Sequence, residues 1–320
     1  MNNRIVSFTG LRGKLRYREP MSRHTTWRMG GSADCFYQPA DREDLCDFMA
    51  QLPPAEPVFW LGLGSNLLVR DGGIRGTVIC TAGGLDGYRF INDATLRSEA
   101  GMPCARVARI TAQAGYAGAE FMAGIPGTLG GALAMNGGAF GGESWPLVRR
   151  VETVDRQGRR QVRDAGEFQV GYREIQGRKD EWFLTADLEL TRDPERQGRH
   201  RIRSLLAQRA KTQPLGQPSC GSIFRNPPGD HAARLIACSG LKGLRIGDIQ
   251  VSEKHANFMI NLGQAKAADV EALIERVRGA VLARHGIGLV AEVKIVGEPA
   301  PLPLPSPIER EGINWSGWYE

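Results

Sequence analysis

One stretch restricts the fold of this chain more than any other: residues 123–142, AGIPGTLGGALAMNGGAFGG. Glycine fills eight of these twenty positions, yet the stretch is too apolar and too regular to be a linker. Pro126 and Gly127 make a turn, and Thr128 is placed to cap a short helix over 129–135. Gly130 and Gly131 strip one side of that helix of Cβ atoms. Asn136, Gly137 and Gly138 end it, with Gly141 in the loop beyond. Two readings stand at this point. Bare backbone N–H groups at a helix start are a ready anion site, so Gly124, Ile125, Pro126, Gly127, Thr128, Gly130, Asn136 and Gly141 are candidate contacts to a phosphate-bearing cofactor. The other reading is close packing of a helix against a sheet.

A second loop bears on that choice. Residues 60–76 read WLGLGSNLLVRDGGIRG. The apolar run 58–61 suits a buried strand, and Gly62, Gly64, Ser65 and Asn66 turn it into a second strand starting at Leu67. The dinucleotide fingerprint GxGxxG is not present, because its third glycine is Leu67 and no helical pattern follows. The loop therefore joins two strands, and its N–H groups form a candidate anion nest. Two such loops, about sixty residues apart, are expected to wall one pyrophosphate from opposite sides.

The remaining pattern is α+β rather than doubly wound. Short strands are expected at 34–38, 77–80, 88–91, 96–99, 148–154, 161–163 and 182–190. In the last of these, Thr185, Asp187 and Glu189 alternate, which reads as a solvent-facing side. Helices are expected at 41–51, with Leu45, Phe48 and Met49 inward, and at 103–114, with Val107 and Ile110 on one face. A basic helix over 202–211 would turn Ile202, Leu205 and Leu206 inward. The clearest helix is 269–285, where Val270, Leu273, Ile274, Val277 and Val281 recur at helical spacing before Gly286. Residues 289–296 alternate as a strand, with Glu292 in its middle. Residues 1–20 read as an irregular or short-strand start, and the proline run from 298 to 320 as an extended tail.

The chain has 320 residues, enough for two to three packed units. No apolar run spans a bilayer, and the N-terminus lacks a secretory apolar region. Six cysteines lie scattered without CxxC spacing, and the five histidines form no ligand pattern with them. Reduced thiols, no metal and a cytoplasmic location are expected, as are no membrane partner and a monomeric state. Net charge is +6, and no acid occurs between Glu195 and Asp230. That basic run reads as a solvated helix face or as a site for an anionic small molecule. Nucleic acid is not expected, since aromatic residues do not interleave with it.

Taken together, the two glycine loops resemble the flavin domain of the bacterial UDP-N-acetylenolpyruvoylglucosamine reductase family. Further blocks resemble the family in order: TWRMGGSAD at 26–34, GYR at 171–173, CGSIFRNP at 220–227, GLKGLRIG at 240–247, VSEKHANF at 251–258 and AEVKI at 291–295. The resemblance covers roughly residues 20–297 and implies a two-subdomain PCMH-type FAD-binding domain, 1–82 and 83–195, then a smaller α+β substrate-binding domain, 196–297. It implies non-covalent FAD held by Gly62, Gly64, Ser65, Asn66 and Leu67 together with the second loop. NADPH is then the reductant, and UDP-N-acetylglucosamine enolpyruvate is reduced to UDP-N-acetylmuramate for peptidoglycan synthesis, and with it cell-wall biogenesis, cell shape and division. The short interval from Arg173 to Ser222 is similar to the type II branch.

Three residues carry the implied chemistry. Arg173 has the planar fork suited to a carboxylate, although sequence alone allows a structural pair with Glu174 or Asp164. Ser222 is otherwise a turn serine; by the resemblance it protonates C2 of the substrate. Glu292 is otherwise an edge-strand carboxylate; by the resemblance it polarises the enolpyruvyl carboxylate with Arg173. The resemblance also places Tyr172, Lys211, Arg225 and Asn226 at the substrate, Lys211 on its phosphate. Cys220 has no base beside it and is not expected to be a nucleophile. Two departures are noted: Phe140 stands where the family often has Tyr, and Ala237 where an acid is usual. The rival readings are a flavin oxidase of the same fold, against which no histidine lies in either loop for a covalent tether, and a non-catalytic nucleotide-binding protein.

Overall fold

Alternating apolar strands at the start of the chain build the first sheet. The computed structural model describes residues 8–301. Strands β1 (Lys14–Pro20), β2 (Ser32–Gln38), β3 (Val58–Leu61) and β5 (Ile74–Cys80) form a four-stranded sheet in the order β1-β2-β5-β3. The first pair is antiparallel and the other two are parallel. Helix α1 (Arg42–Gln51) covers it, capped by Asp41, whose carboxylate accepts from Asp44 N at 2.9 Å. Leu45, Phe48 and Met49 are buried as the spacing predicts, with Phe48 stacked on Tyr37.

The second sheet is antiparallel and five-stranded. It takes β6 (Tyr88–Asn92), β7 (Thr95–Glu99), β8 (Val148–Asp155), β9 (Arg160–Asp164) and β12 (Glu181–Glu189), in the order β9-β8-β12-β7-β6. Here the alternation in β12 misleads. Thr185 and Asp187 are buried, and only Glu189 is exposed. Asp187 sits between Arg97 and Arg150 from the two neighbouring strands, each Nε at 2.6 Å, so an ion triad around a buried carboxylate replaces the expected solvent face. Helices α2 (Cys104–Gln113) and α3 (Leu129–Ala134) pack on this sheet. A hairpin of β10 (Gln169–Gly171) and β11 (Glu174–Gln176) projects from it.

Helix α4 (Gly198–Thr212) differs from its expected packing. Ile202 is buried in the cluster of the five-stranded unit, whereas Leu206 is exposed. Beyond it, α5 (Ala232–Cys238) and a three-stranded sheet, β13 (Arg245–Ile246), β14 (Ile249–Val251) and β15 (Met259–Asn261), escape a reading by periodicity because each is so short. Helix α6 (Ala267–His285) supplies their core through Val270, Leu273, Ile274, Val277 and Val281, all buried, and Gly286 ends it in the left-handed region. Trp27, Met29 and Leu68 reach into this same core. The Trp27 indole donates to Met259 O at 2.9 Å, and Asn261 Nδ2 donates to Trp27 O at 2.8 Å.

The expected strand over 289–296 is shorter than its alternation. Only β16 (Lys294–Val296) is a strand, and it pairs parallel with β4 (Leu67–Val69) of the first unit. Glu292 lies just before it. Among the described residues no helix is long and apolar enough to cross a membrane. The proline-rich stretch expected as a tail falls, from 302 onward, outside the described residues.

Candidate active site

The two glycine loops meet. A Cβ on Gly62 would lie 2.4 Å from Thr128 Oγ1, and one on Gly127 would lie 3.2 Å from Ser65 Oγ. Both loops line one cleft of about 450 Å³, within the size range of small-ligand sites. Gly62, Gly64, Ser65, Asn66, Leu67, Gly124, Ile125, Pro126, Gly127 and Thr128 all face it.

The loops divide the work differently from the expectation. Thr128 does cap α3, its Oγ1 accepting from Gly131 N at 3.3 Å. The N–H of Leu129 goes to Met102 O and that of Gly130 to Ala100 O. The helix start is therefore spent on packing, and Gly130 is glycine because a Cβ would meet Ala100 Cβ at 2.9 Å. In the first loop the N–H groups of Gly64, Ser65 and Asn66 have no acceptor among the described residues. Free amides grouped in this way are what an anion-binding nest requires. Gly130, Asn136 and Gly141 do not line the cleft. Asn136 is buried; its Nδ2 donates to Glu143 Oε2 and Gly171 O, and its Oδ1 accepts from Trp145 N. Its side chain thereby holds the β10–β11 hairpin.

Gly64 has φ +60°, and a Cβ there would stand 2.1 Å from His24 O. The left-handed region alone costs an alanine about 1–2 kcal/mol. Gly64→Ala is therefore expected to weaken FAD binding by about tenfold or more, read by flavin fluorescence titration. Gly127→Ala, with its wider contact and ordinary φ, should lose much less. Equal affinities in the two variants would refute the cradle.

The three side chains expected to be catalytic come from three distant segments. Arg173 occupies the turn of the β10–β11 hairpin at φ +57°. Ser222 begins a segment that hydrogen-bonds along 290–292: Glu292 N donates to Ile223 O at 2.7 Å and Arg225 N to Val290 O at 2.9 Å. Asn257 secures that segment, accepting from Phe224 N and donating to Phe224 O. Asn66 joins the cofactor loop to it, with Nδ2 donating to Glu292 O at 3.1 Å. Arg173, Ser222 and Glu292 thus face the same cleft. Arg173 Nε lies 3.3 Å from Glu292 Oε1, an ion-pair contact that is not aligned as a hydrogen bond. Glu292 is 11% exposed at its side chain. Burial pushes its carboxyl above the usual range, and the charges of Arg173 and Arg225 oppose that only in part. Burial also raises the Cys220 thiol, so it stays protonated.

The four residues expected at the substrate do not line the cleft. Tyr172 is exposed, with Arg173 Cζ 5.8 Å from its ring centre. Asn226 Oδ1 accepts from Ala232 N at the start of α5. Arg225 Nη2 donates to Arg173 O at 3.2 Å. Lys211 is exposed, and Arg209 and Gln213 enter the cleft instead. Two residues of separation turn a helical side chain by about 200°, so a run of basic residues does not reveal which one faces inward. Arg209 Nε donates to Gln213 Oε1 at 2.6 Å, and burial lowers its pKa from the ordinary value. Phe140, Phe258 and Lys294 also line the cleft and carried no signal in the sequence beyond their motifs.

Comparison with known proteins gives the family. Residues 33–162 match a family described as FAD binding domain, and residues 213–296 match the UDP-N-acetylenolpyruvoylglucosamine reductase C-terminal domain. A UDP-N-acetylenolpyruvoylglucosamine reductase from Alkalilimnicola ehrlichii is 59% identical over 286 residues, covering 89% of this chain and 96% of its own. One from Methylococcus capsulatus is 59% identical over 287 residues, covering 90% and 94%. The crystal structure of the Thermus caldophilus reductase superposes with a TM-score of 0.77 at 33% identity, covering 89% of this chain and 99% of that one. With an FAD-binding domain, that reductase C-terminal domain and relatives this similar over nearly its whole length, the chain belongs to the UDP-N-acetylenolpyruvoylglucosamine reductase family of flavin-dependent oxidoreductases.

Proposed function

We propose that this chain reduces UDP-N-acetylglucosamine enolpyruvate to UDP-N-acetylmuramate with NADPH, a step of peptidoglycan precursor synthesis. The observation that carries the reading is the contact of Arg173 with a largely buried Glu292, 3.3 Å apart, in the cleft that also holds Ser222 and both glycine loops. The 62–66 and 124–128 loops would hold FAD, which when bound would supply a hydride drawn from NADPH.

The protein's own residues do the rest. The Arg173 guanidinium holds the enolpyruvyl carboxylate, whose charge grows as hydride reaches C3. Glu292 keeps its proton to higher pH than an ordinary carboxylic acid, so it can share that proton with the substrate carboxylate as the charge develops. Ser222 Oγ gives a proton to C2, which completes addition of two hydrogens across the double bond. Arg209 takes the phosphate role expected of Lys211, since it is the cation of that helix that lines the cleft. Residues 1–82 and 83–195 serve as the two halves of the FAD-binding part, and the chain beyond α4 as the substrate part. Six free thiols support a cytoplasmic setting, and we infer a monomer.

Anaerobic absorbance tests the reading. NADPH should bleach the flavin bands, and the enolpyruvyl nucleotide should restore them. Bleaching without recovery would keep the flavin chemistry and overturn the substrate.

A further inference from the structure

Arg173 holds a left-handed turn that an arginine does not favour, and something must keep it there. Three contacts do. Asn136 Nδ2 donates to Gly171 O at 3.1 Å, Arg173 Nη2 donates to Gly138 O at 3.2 Å, and Arg225 Nη2 donates to Arg173 O at 3.2 Å. The first two come from the loop beyond α3. The third comes from the Ser222 segment, and it is the one that links the separate parts of the site.

Arg225 ties the turn that carries Arg173 to the segment that carries Glu292. Its backbone N–H goes to Val290 O, two residues before Glu292, and its side chain goes to the carbonyl of Arg173. Among the described residues it has no carboxylate within ion-pair distance, and its Nε is buried without an acceptor. The charge of this guanidinium is therefore not neutralised locally and is felt at Glu292. The other groups around Glu292 are Arg173 from the hairpin, the protonated Cys220, Lys294 from β16 and Arg209 from α4, all on the same cleft.

We propose that Arg225 is a positioning residue, one that fixes the turn of Arg173 and sets the charge facing Glu292, rather than a contact to the sugar nucleotide. The inference builds on the proposed reaction, but its main test does not need turnover. Infrared titration of the FAD-bound protein labelled with ¹³C-carboxyl glutamate would follow Glu292, its band assigned by loss in Glu292→Gln. In Arg225→Gln the midpoint should rise by about one pH unit, because a cation near a carboxylate is lost. Arg225→Lys keeps the charge and should return the midpoint to that of the parent chain. Arg225→Met replaces Arg225→Gln if the latter does not fold. In turnover, kcat should fall about tenfold to a hundredfold with KM for the enolpyruvyl nucleotide nearly unchanged. An unmoved midpoint in the neutral variants overturns the proposal. So does a large rise in KM at constant kcat, which would make Arg225 a substrate contact. A parent protein that titrates as described but does not reduce the nucleotide would overturn the reaction and leave the role of Arg225 standing.

Discussion

Ser222→Ala should leave NADPH bleaching of the flavin at the parent rate and slow the return of colour by about 10²–10⁴-fold. The asymmetry follows from where the hydroxyl sits. Its segment is fixed by backbone bonds to Asn257 and to Glu292, and the neighbouring Ile223 is fully buried. Removing Oγ therefore leaves the cleft, both glycine loops and the Arg173–Glu292 contact in place. Only the step that needs a proton at C2 is touched. Stopped-flow absorbance of the two half-reactions, each measured alone, separates the cases. Equal slowing of both would mean the serine shapes the cleft, and slowing of neither would remove it from the mechanism.

The largest loss of stability is expected far from that cleft, at Asp187. Its side chain is 2% exposed and meets Arg97 Nε and Arg150 Nε, each at 2.6 Å. Burial alone would raise its pKa, but the bonds from the two guanidinium groups outweigh it and hold the carboxyl below its ordinary range. Asp187→Ala removes the carboxylate shared by two partly exposed guanidinium groups, at a cost of about 1–3 kcal/mol. Urea unfolding should show a lower midpoint at unchanged slope. The pH dependence has a definite sign. A depressed folded pKa gives stability that is complete above the unfolded value, about 3.9, and is lost as pH falls through the folded value. Asp187→Asn should therefore flatten the acid limb of the stability curve. A parent-like midpoint in the alanine variant would mean the two arginines find solvent without cost.

The same residue shows where sequence reading stops. Polar residues at every second position of a strand imply water on one side, and in β12 that side is filled by arginines from strands that pair only in the folded chain. Local signals fared better. The Thr128 cap, the apolar face of α6 and its stop at Gly286 each depend on residues within a turn of one another, and each is in the structure. Both glycine loops were legible as walls of one cleft. Which of their amides remain free was not, because Met102 and Ala100, which take those of α3, lie in the preceding chain with no pattern to mark them. The alternation over 289–296 was real, but its partners are Ile223 and the β4 strand, so most of it never becomes ladder.

A ribosome making this chain emits the Gly64–Asn66 loop long before the segment that supports it. Asn66 and Glu292 are 226 positions apart, and β4 has no partner until β16 has emerged. At 5–20 residues per second that interval is roughly 10–45 s. Throughout it the first unit carries an unpaired strand beside an unbraced loop, the kind of edge that invites association with other nascent chains. The brace of the cofactor loop thus waits for residues 292–296, and a chain cut before residue 292 would lose it.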